Sequence, residues 1–178
     1  NDLELLLEGS PLNVFAHNVE CVPRLDRYVR DPRASFSQSI EILKHAKLIR
    51  PDIVTKTSLM VGLGETDDEI SEALVMIREA NVDLLTIGQY LAPSEKHLKI
   101  DRFPDPLMYD TWANQAIKLG FVGVASGPLV RSSYKAGLLY RKTIDSNNDE
   151  TLPGAYVMIG SHDVREQHNL NRIPREVI

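Results

Sequence analysis

The chain has 178 residues, 43% of them hydrophobic and 25% charged, a composition that suits one globular domain rather than a disordered or fibrous chain. Twenty basic against twenty-five acidic residues leave a net charge of −5, so no overall positive field draws in a nucleic-acid backbone or an anionic membrane, and neither is an expected partner. The single cysteine, Cys21, excludes an internal disulfide and any all-cysteine zinc or iron–sulfur site built by this chain alone.

Apolar runs are interrupted well before the roughly 20 residues that a bilayer-spanning helix needs. The opening run Asn1-Asp2-Leu3-Glu4 lacks an initiator methionine and reads as a cut chain, with targeting illegible. A short amphipathic stretch from Asp2 to Glu8 precedes a turn at Gly9-Ser10-Pro11. From there to Leu91, apolar runs alternate with helix-period segments, the pattern of βα units and a parallel sheet. Three strands are expected, at Leu12 to His17, Ile53 to Val61 and Asp83 to Gln89. Phe36, Ile40, Leu43, Ala46 and Leu48, near helical spacing, predict a helix between Ser35 and Arg50, ended by Pro51-Asp52. Thr66-Asp67-Asp68-Glu69 is a capping box that opens a helix through Ala80. A further helix from Pro106 to Leu119 should close at Gly120. Phe121 to Ala125 is a candidate short strand and Ala155 to Ile159 another, with Asp145 to Glu150 expected to be flexible.

In parallel α/β sheets ligands bind beyond the carboxyl ends of the strands. Those ends carry His17-Asn18-Val19-Glu20, Gly62-Leu63-Gly64-Glu65 and Gly88-Gln89-Tyr90. Asn18 and Glu20, two residues apart, share one side of an extended segment and can jointly receive a sugar diol or an amine. Singly, each suits a turn or a helix cap as well. Gly62 and Gly64 more often relieve backbone sterics than admit a ligand. His17 equally suits a hydrogen-bonded core position, whereas Cys21, with no organised His partner readable, suits an incidental buried or half-buried thiol rather than a nucleophile. The densest polar run, Arg131-Ser132-Ser133-Tyr134-Lys135, follows the turn Gly127-Pro128 and equally suits a surface loop that caps a barrel end.

Taken together, His17-Asn18-Val19-Glu20, Met60-Val61-Gly62-Leu63-Gly64-Glu65-Thr66, Gly88-Gln89-Tyr90-Leu91 with Pro93, and Gly127-Pro128-Leu129-Val130-Arg131-Ser132-Ser133-Tyr134 resemble the lipoyl synthases in order and spacing. The likeness runs over about residues 12–137, and Val29-Arg30-Asp31-Pro32-Arg33-Ala34 with Ser126 looks more like the eukaryotic branch. The resemblance implies a radical S-adenosylmethionine enzyme that inserts two sulfur atoms into an octanoyl chain on a lipoyl-carrier lysine. It implies S-adenosylmethionine and two 4Fe-4S clusters as cofactors. By the same resemblance Asn18 and Glu20 hold the ribose and methionyl end, Gly62, Gly64 and Glu65 pass beside the adenine, and Gln89 lines the same cavity. Ser132, with Ser133 as second choice, completes the auxiliary cluster, and Arg131 stands beside it. An oxygen ligand held less tightly than thiolate suits an iron released when its cluster is consumed. An octanoylated carrier domain and iron–sulfur delivery proteins are the implied partners, and a mitochondrion, or alternatively a plastid, the implied compartment.

Two departures qualify this picture. The family's two cysteine triplets lie upstream of the matched region and Cys21 falls at neither, so the chain alone is expected to hold no cluster and to be inactive. Ser58 stands where many radical S-adenosylmethionine proteins have a glycine. The expected fold is α/β, the second half of a partial TIM-type barrel in residues 1–91 with three parallel βα units whose outer strands are open edges. A helix and an Arg-Ser-Ser-Tyr lid occupy 92–140, and 141–178 is an unassigned, partly flexible tail. The alternatives are a non-catalytic module or decayed remnant of the same fold, and an unrelated nucleotide binder, which the missing P-loop lysine and serine disfavour.

Overall fold

Parallel strands need long crossovers, and the segments between the strands are helices with one apolar face each. In the computed structural model, which describes residues 2–133, 137–141 and 156–159, helix α1 (Asp2–Leu7) leads into strand β1 (Val14–Ala16). A 3-10 turn (Pro23–Leu25), α2 (Asp26–Val29) and α3 (Phe36–Ile49) then lead to β2 (Val54–Val61). Helix α4 (Asp67–Glu79) joins β2 to β3 (Leu84–Gln89), and α5 (Pro106–Leu119) joins β3 to β4 (Gly123–Gly127). A last strand, β5 (Tyr156–Ile159), completes one sheet in the order β1-β2-β3-β4-β5, every pair parallel. The three expected strands lie side by side, and the two candidate strands extend the sheet beyond them. The expected flexible stretch from Asp145 to Glu150 lies outside the described residues.

The local signals act as their chemistry requires. Ser35 caps α3 by accepting from the amide of Gln38 at 3.1 Å. Thr66 and Glu69 exchange both bonds of the capping box, at 3.2 and 2.8 Å. Gly120 ends α5 in the left-handed conformation, with φ 99°.

The helices cover one face of the sheet. Ile70, Ala73, Leu74 and Ile77 of α4 recur at helical spacing and meet Leu59, Val61, Leu85 and Ile87 of the strands in the main core. Tyr109 and Trp112 of α5, both buried, stand edge to face with centroids 5.3 Å apart in that core. The alternate strand residues, Lys56, Ser58 and Met60 of β2 with Thr86 and Gly88 of β3, face the opposite side. That opposite, polar face is the lumen of the partial barrel. No helix among the described residues is long and apolar enough to cross a membrane.

Candidate active site

A cavity of about 640 Å³ opens at the carboxyl end of β1 and over the lumen face of β2. Val14 and Ala16 form its apolar floor, His17, Asn18, Glu20, Arg30 and Lys56 its polar wall, and Ser132, Ser133 and Tyr140 lie along its rim. Its volume falls within the roughly 300–1,000 Å³ usual for small-molecule sites.

The polar wall is held by β2. Thr57 accepts from the amide of Val19 at 3.1 Å and donates to the carbonyl of His17 at 2.9 Å. Ser39 of α3 donates to the carbonyl of Asn18 at 3.2 Å. Glu20 is left-handed, φ 69°, and its strained backbone is fixed on both sides by β2. Its amide donates to Ser58 at 3.0 Å, and its carbonyl accepts from Met60 at 2.8 Å. The Asn18 amide donates to the Glu20 carboxylate at 3.2 Å, so the two side chains meet as a unit.

Electrostatically the wall is mixed. Nη1 of Arg30 is buried with no hydrogen-bond partner, which is costly for a cationic group and marks an unfilled acceptor position. Burial lowers the Lys56 ammonium to about 8, and its Nζ donates to the main-chain carbonyl of Ser132. His17 is held below its ordinary value by burial first and by Arg30 second, which keeps the imidazole neutral at neutral pH.

A second polar cluster sits at the ends of β2 and β3. The Glu65 carboxylate accepts from the amides of Gly62 at 2.7 Å and Leu63 at 2.9 Å, and Arg102 stands 3.8 Å away. Gln89 donates to the carbonyls of Tyr90 at 3.0 Å and Arg102 at 3.2 Å, and accepts from the Tyr109 hydroxyl at 3.0 Å. Burial pushes that phenol up to about 12, so it stays a donor. A Cβ on Gly62 would lie 2.3 Å from Nε2 of Gln89 and 2.5 Å from the carbonyl of Arg102. Protein backbone and amide therefore fill the space that this glycine leaves.

Comparison with known proteins bears out the resemblance to the lipoyl synthases. The chain is 55% identical to the mitochondrial lipoyl synthase of Xenopus laevis over 135 residues, 76% of this chain and 36% of that protein. It is 54% identical to the chloroplastic lipoyl synthase of Arabidopsis thaliana over 145 residues, 80% of this chain and 37% of that protein. With the mitochondrial lipoyl synthase of Bos taurus the identity is 53% over 135 residues, 76% of this chain and 36% of that protein. The chain is a homologue of the lipoyl synthases. No protein-family model matches it. It spans between 36% and 42% of the length of these and similar curated relatives.

Against the lipoyl synthase resemblance, the structure divides the expected site residues. Asn18, Glu20 and Ser132 line one cavity, with Ser133 beside them. Gly62, Gly64, Glu65 and Gln89 are not among its lining residues. Gln89 was expected in that cavity. Its amide is instead engaged with Tyr90, Arg102 and Tyr109, because β3 turns it, with Ile87, toward the helices. Arg131 points its Nη1 back to the carbonyls of Val130 at 2.8 Å and Gln89 at 3.4 Å. Arg30 and Lys56 were not selected from sequence. The usable signal for Lys56 was a single cation inside an apolar strand run, and for Arg30 there was none beyond the family phrase.

Of the groups that the resemblance implies, the cavity suits one and the chain does not supply the other. A carboxylate, an amide and an unpaired guanidinium around one cavity suit a molecule with a zwitterionic amino-acid end and a diol, as S-adenosylmethionine has. A four-iron cluster needs several thiolates. Cys21 is buried in the core, its Sγ 3.8 Å from Asp26, and burial pushes its thiol up to about 12. Among the described residues no group of three or more His, Cys, Asp or Glu is gathered as a metal site.

Proposed function

We propose that this chain forms the S-adenosylmethionine cavity and the serine-bearing lid of a lipoyl synthase, which inserts sulfur into an octanoyl chain carried on a lipoyl-domain lysine. The observation that carries the reading is the meeting of Asn18, Glu20, Arg30 and Ser132 around one cavity in a homologue of that family. Bound S-adenosylmethionine would supply the hydrogen-abstracting chemistry. The Glu20 carboxylate receives the ammonium or the ribose hydroxyls, and Asn18 holds that carboxylate in place. Nη1 of Arg30 receives the methionyl carboxylate, which would satisfy an otherwise orphaned charge. Neutral His17 adds no competing cation. Gly62, Gly64, Glu65 and Gln89 act one step back, by fixing the loop after β2 against the segment at Asp101 and Arg102.

Ser132 lies at the cavity rim and would be the oxygen ligand for an auxiliary cluster, whose thiolates this chain, with its one buried cysteine, does not supply. Arg131 anchors that lid to the end of β3. The chain alone is accordingly inactive in sulfur insertion. Its partners are an octanoylated carrier domain and iron–sulfur delivery proteins, and its compartment is a mitochondrion, with a plastid as the alternative.

Calorimetric titration with S-adenosylmethionine tests the reading. Wild type should bind, and Glu20→Gln and Arg30→Met should each weaken binding about tenfold or more, the loss of one charge-assisted contact of about 1.4 kcal/mol. Lys44→Met, on the exposed face of α3, should leave it unchanged. Absence of binding by wild type refutes the proposal. A non-catalytic module of the same fold is the second reading, supported by the single unreactive thiol. Both readings predict binding without 5′-deoxyadenosine formation by this chain after anaerobic reconstitution with iron and sulfide. The coding sequence upstream separates them, since two cysteine triplets in frame indicate the enzyme.

A further inference from the structure

Among the described residues Lys56, 3% exposed, is the most deeply placed charge of the lumen, on a strand whose other lumen residues are Val54, Ser58 and Met60. Its Nζ reaches away from β2 to the Ser132 carbonyl, with the hydroxyl of Thr86 at 3.4 Å. The segment it grips is already seated once. Val130, 1% exposed, lies so close over β3 that a Cβ on Gly88 would fall 2.1 Å from its carbonyl oxygen. Arg131 holds the next residue to the Gln89 carbonyl. Beyond Arg131 the described chain is drawn inward at Ser132, a residue that lines the cavity and whose carbonyl accepts from Lys56, and again at the fully buried Leu139 beside Gly123.

We propose that Lys56 is a positioning residue, a latch that seats the lid at Ser132 over the cavity by hydrogen bonding to its carbonyl. A buried ammonium is costly without acceptors, and a carbonyl is the acceptor that the lid offers. A charged donor on a long stem can cross from β2 to a segment that follows β4, where a hydroxyl on β2 would fall short. Release of the latch frees Ser132 while leaving the sheet intact. The proposal rests on the cavity reading above only for what lies beneath the lid.

Arg131 and Ser132 are exposed, but trypsin needs the chain around the bond drawn out into its cleft, which the hydrogen bonds from Lys56 and Arg131 oppose, so cleavage at the Arg131–Ser132 bond, mapped by mass spectrometry, reports the latch. Lys56→Met should raise that local rate about fivefold, as expected for opening after loss of one hydrogen bond, with the thermal midpoint unchanged. Lys56→Arg, which keeps the donor, should stay near wild type. Cleavage of Lys56→Met after Arg131 at the wild-type rate overturns the proposal. If Lys56→Met loses its fold and is cut everywhere, Gly88→Ala decides. Its new methyl displaces Val130 and lifts the lid, and Lys56 should then be acylated about fivefold faster by an amine reagent, because its burial is relieved. Unchanged acylation overturns the latch. S-adenosylmethionine binding, measured separately on wild type, tests the cavity reading. A latch without binding sinks that reading alone, and binding with an unchanged cleavage rate in Lys56→Met sinks the latch alone.

Discussion

Gly62 and Gly64 look alike in sequence, yet the structure gives them different reasons to be glycine, and alanine at each separates those reasons. Both have positive φ, 94° and 101°, so a side chain at either position costs about 1–3 kcal/mol of backbone strain. At Gly64 the nearest atom to an added Cβ is 3.7 Å away, an ordinary contact, and the strain is the whole cost. At Gly62 the added Cβ falls 2.3 Å from Nε2 of Gln89 and 2.5 Å from the Arg102 carbonyl. Gln89 cannot move without giving up bonds to Tyr90, Arg102 and Tyr109. Leaving buried groups of that kind unpaired costs about 1–3 kcal/mol more. Gly62→Ala should therefore lose about 2–6 kcal/mol and Gly64→Ala about 1–3 kcal/mol, against a typical domain stability of about 5–15 kcal/mol. Urea unfolding followed by the fluorescence of Trp112, in the core beside Tyr109, gives both midpoints at a shared slope. Losses within about 0.5 kcal/mol of each other would refute the steric argument, because backbone strain would then account for both.

Two further predictions address the cavity wall. Glu20→Gly removes a side chain from a left-handed position, so the variant should melt no lower than wild type while its affinity for S-adenosylmethionine falls about tenfold or more. A clear loss of thermal stability would show that the Glu20 side chain supports the fold instead. His17 is held below 6.5 by burial, so below that pH the unfolded chain binds more protons than the folded one. Its contribution is present above the unfolded value and is lost as pH falls through the folded one. His17→Gln should lose less stability than wild type between about pH 6.5 and 5, measured by urea unfolding at each pH, and parallel curves would refute this.

The pattern that announces a parallel sheet also hides part of the site. All six residues of β3 are buried, so neither side of the strand is solvated and its sequence shows no clean alternation. That Gln89 ends a strand was legible, but whether it faces lumen or helices was not. Its partner Tyr109 lies 20 residues away on α5. Signals confined to a few neighbouring residues came through intact, as Thr66 with Glu69 and Gly120 show. Asn18 and Glu20 also meet as their spacing suggested, but by a different route. The inference assumed an extended segment, and the structure places Glu20 in the left-handed region, where two hydrogen bonds to β2 hold it.

Lys56 illustrates the opposite failure. A lysine in a strand is ordinarily read as marking a solvated face. This one shares the lumen face with Ser58 and Met60, while Leu59 and Val61 of the same strand point to the helices on the other side of the sheet. What makes a buried ammonium tolerable is an acceptor 76 residues further along the chain, the Ser132 carbonyl, and no local pattern encodes a contact of that separation. The same holds for Arg30, whose unpaired Nη1 is defined only once α2 and β1 are folded around it. Residues that complete a fold by pairing with near neighbours can be read in order, whereas charges left to meet a ligand or a lid become visible only as unmet needs in the folded chain.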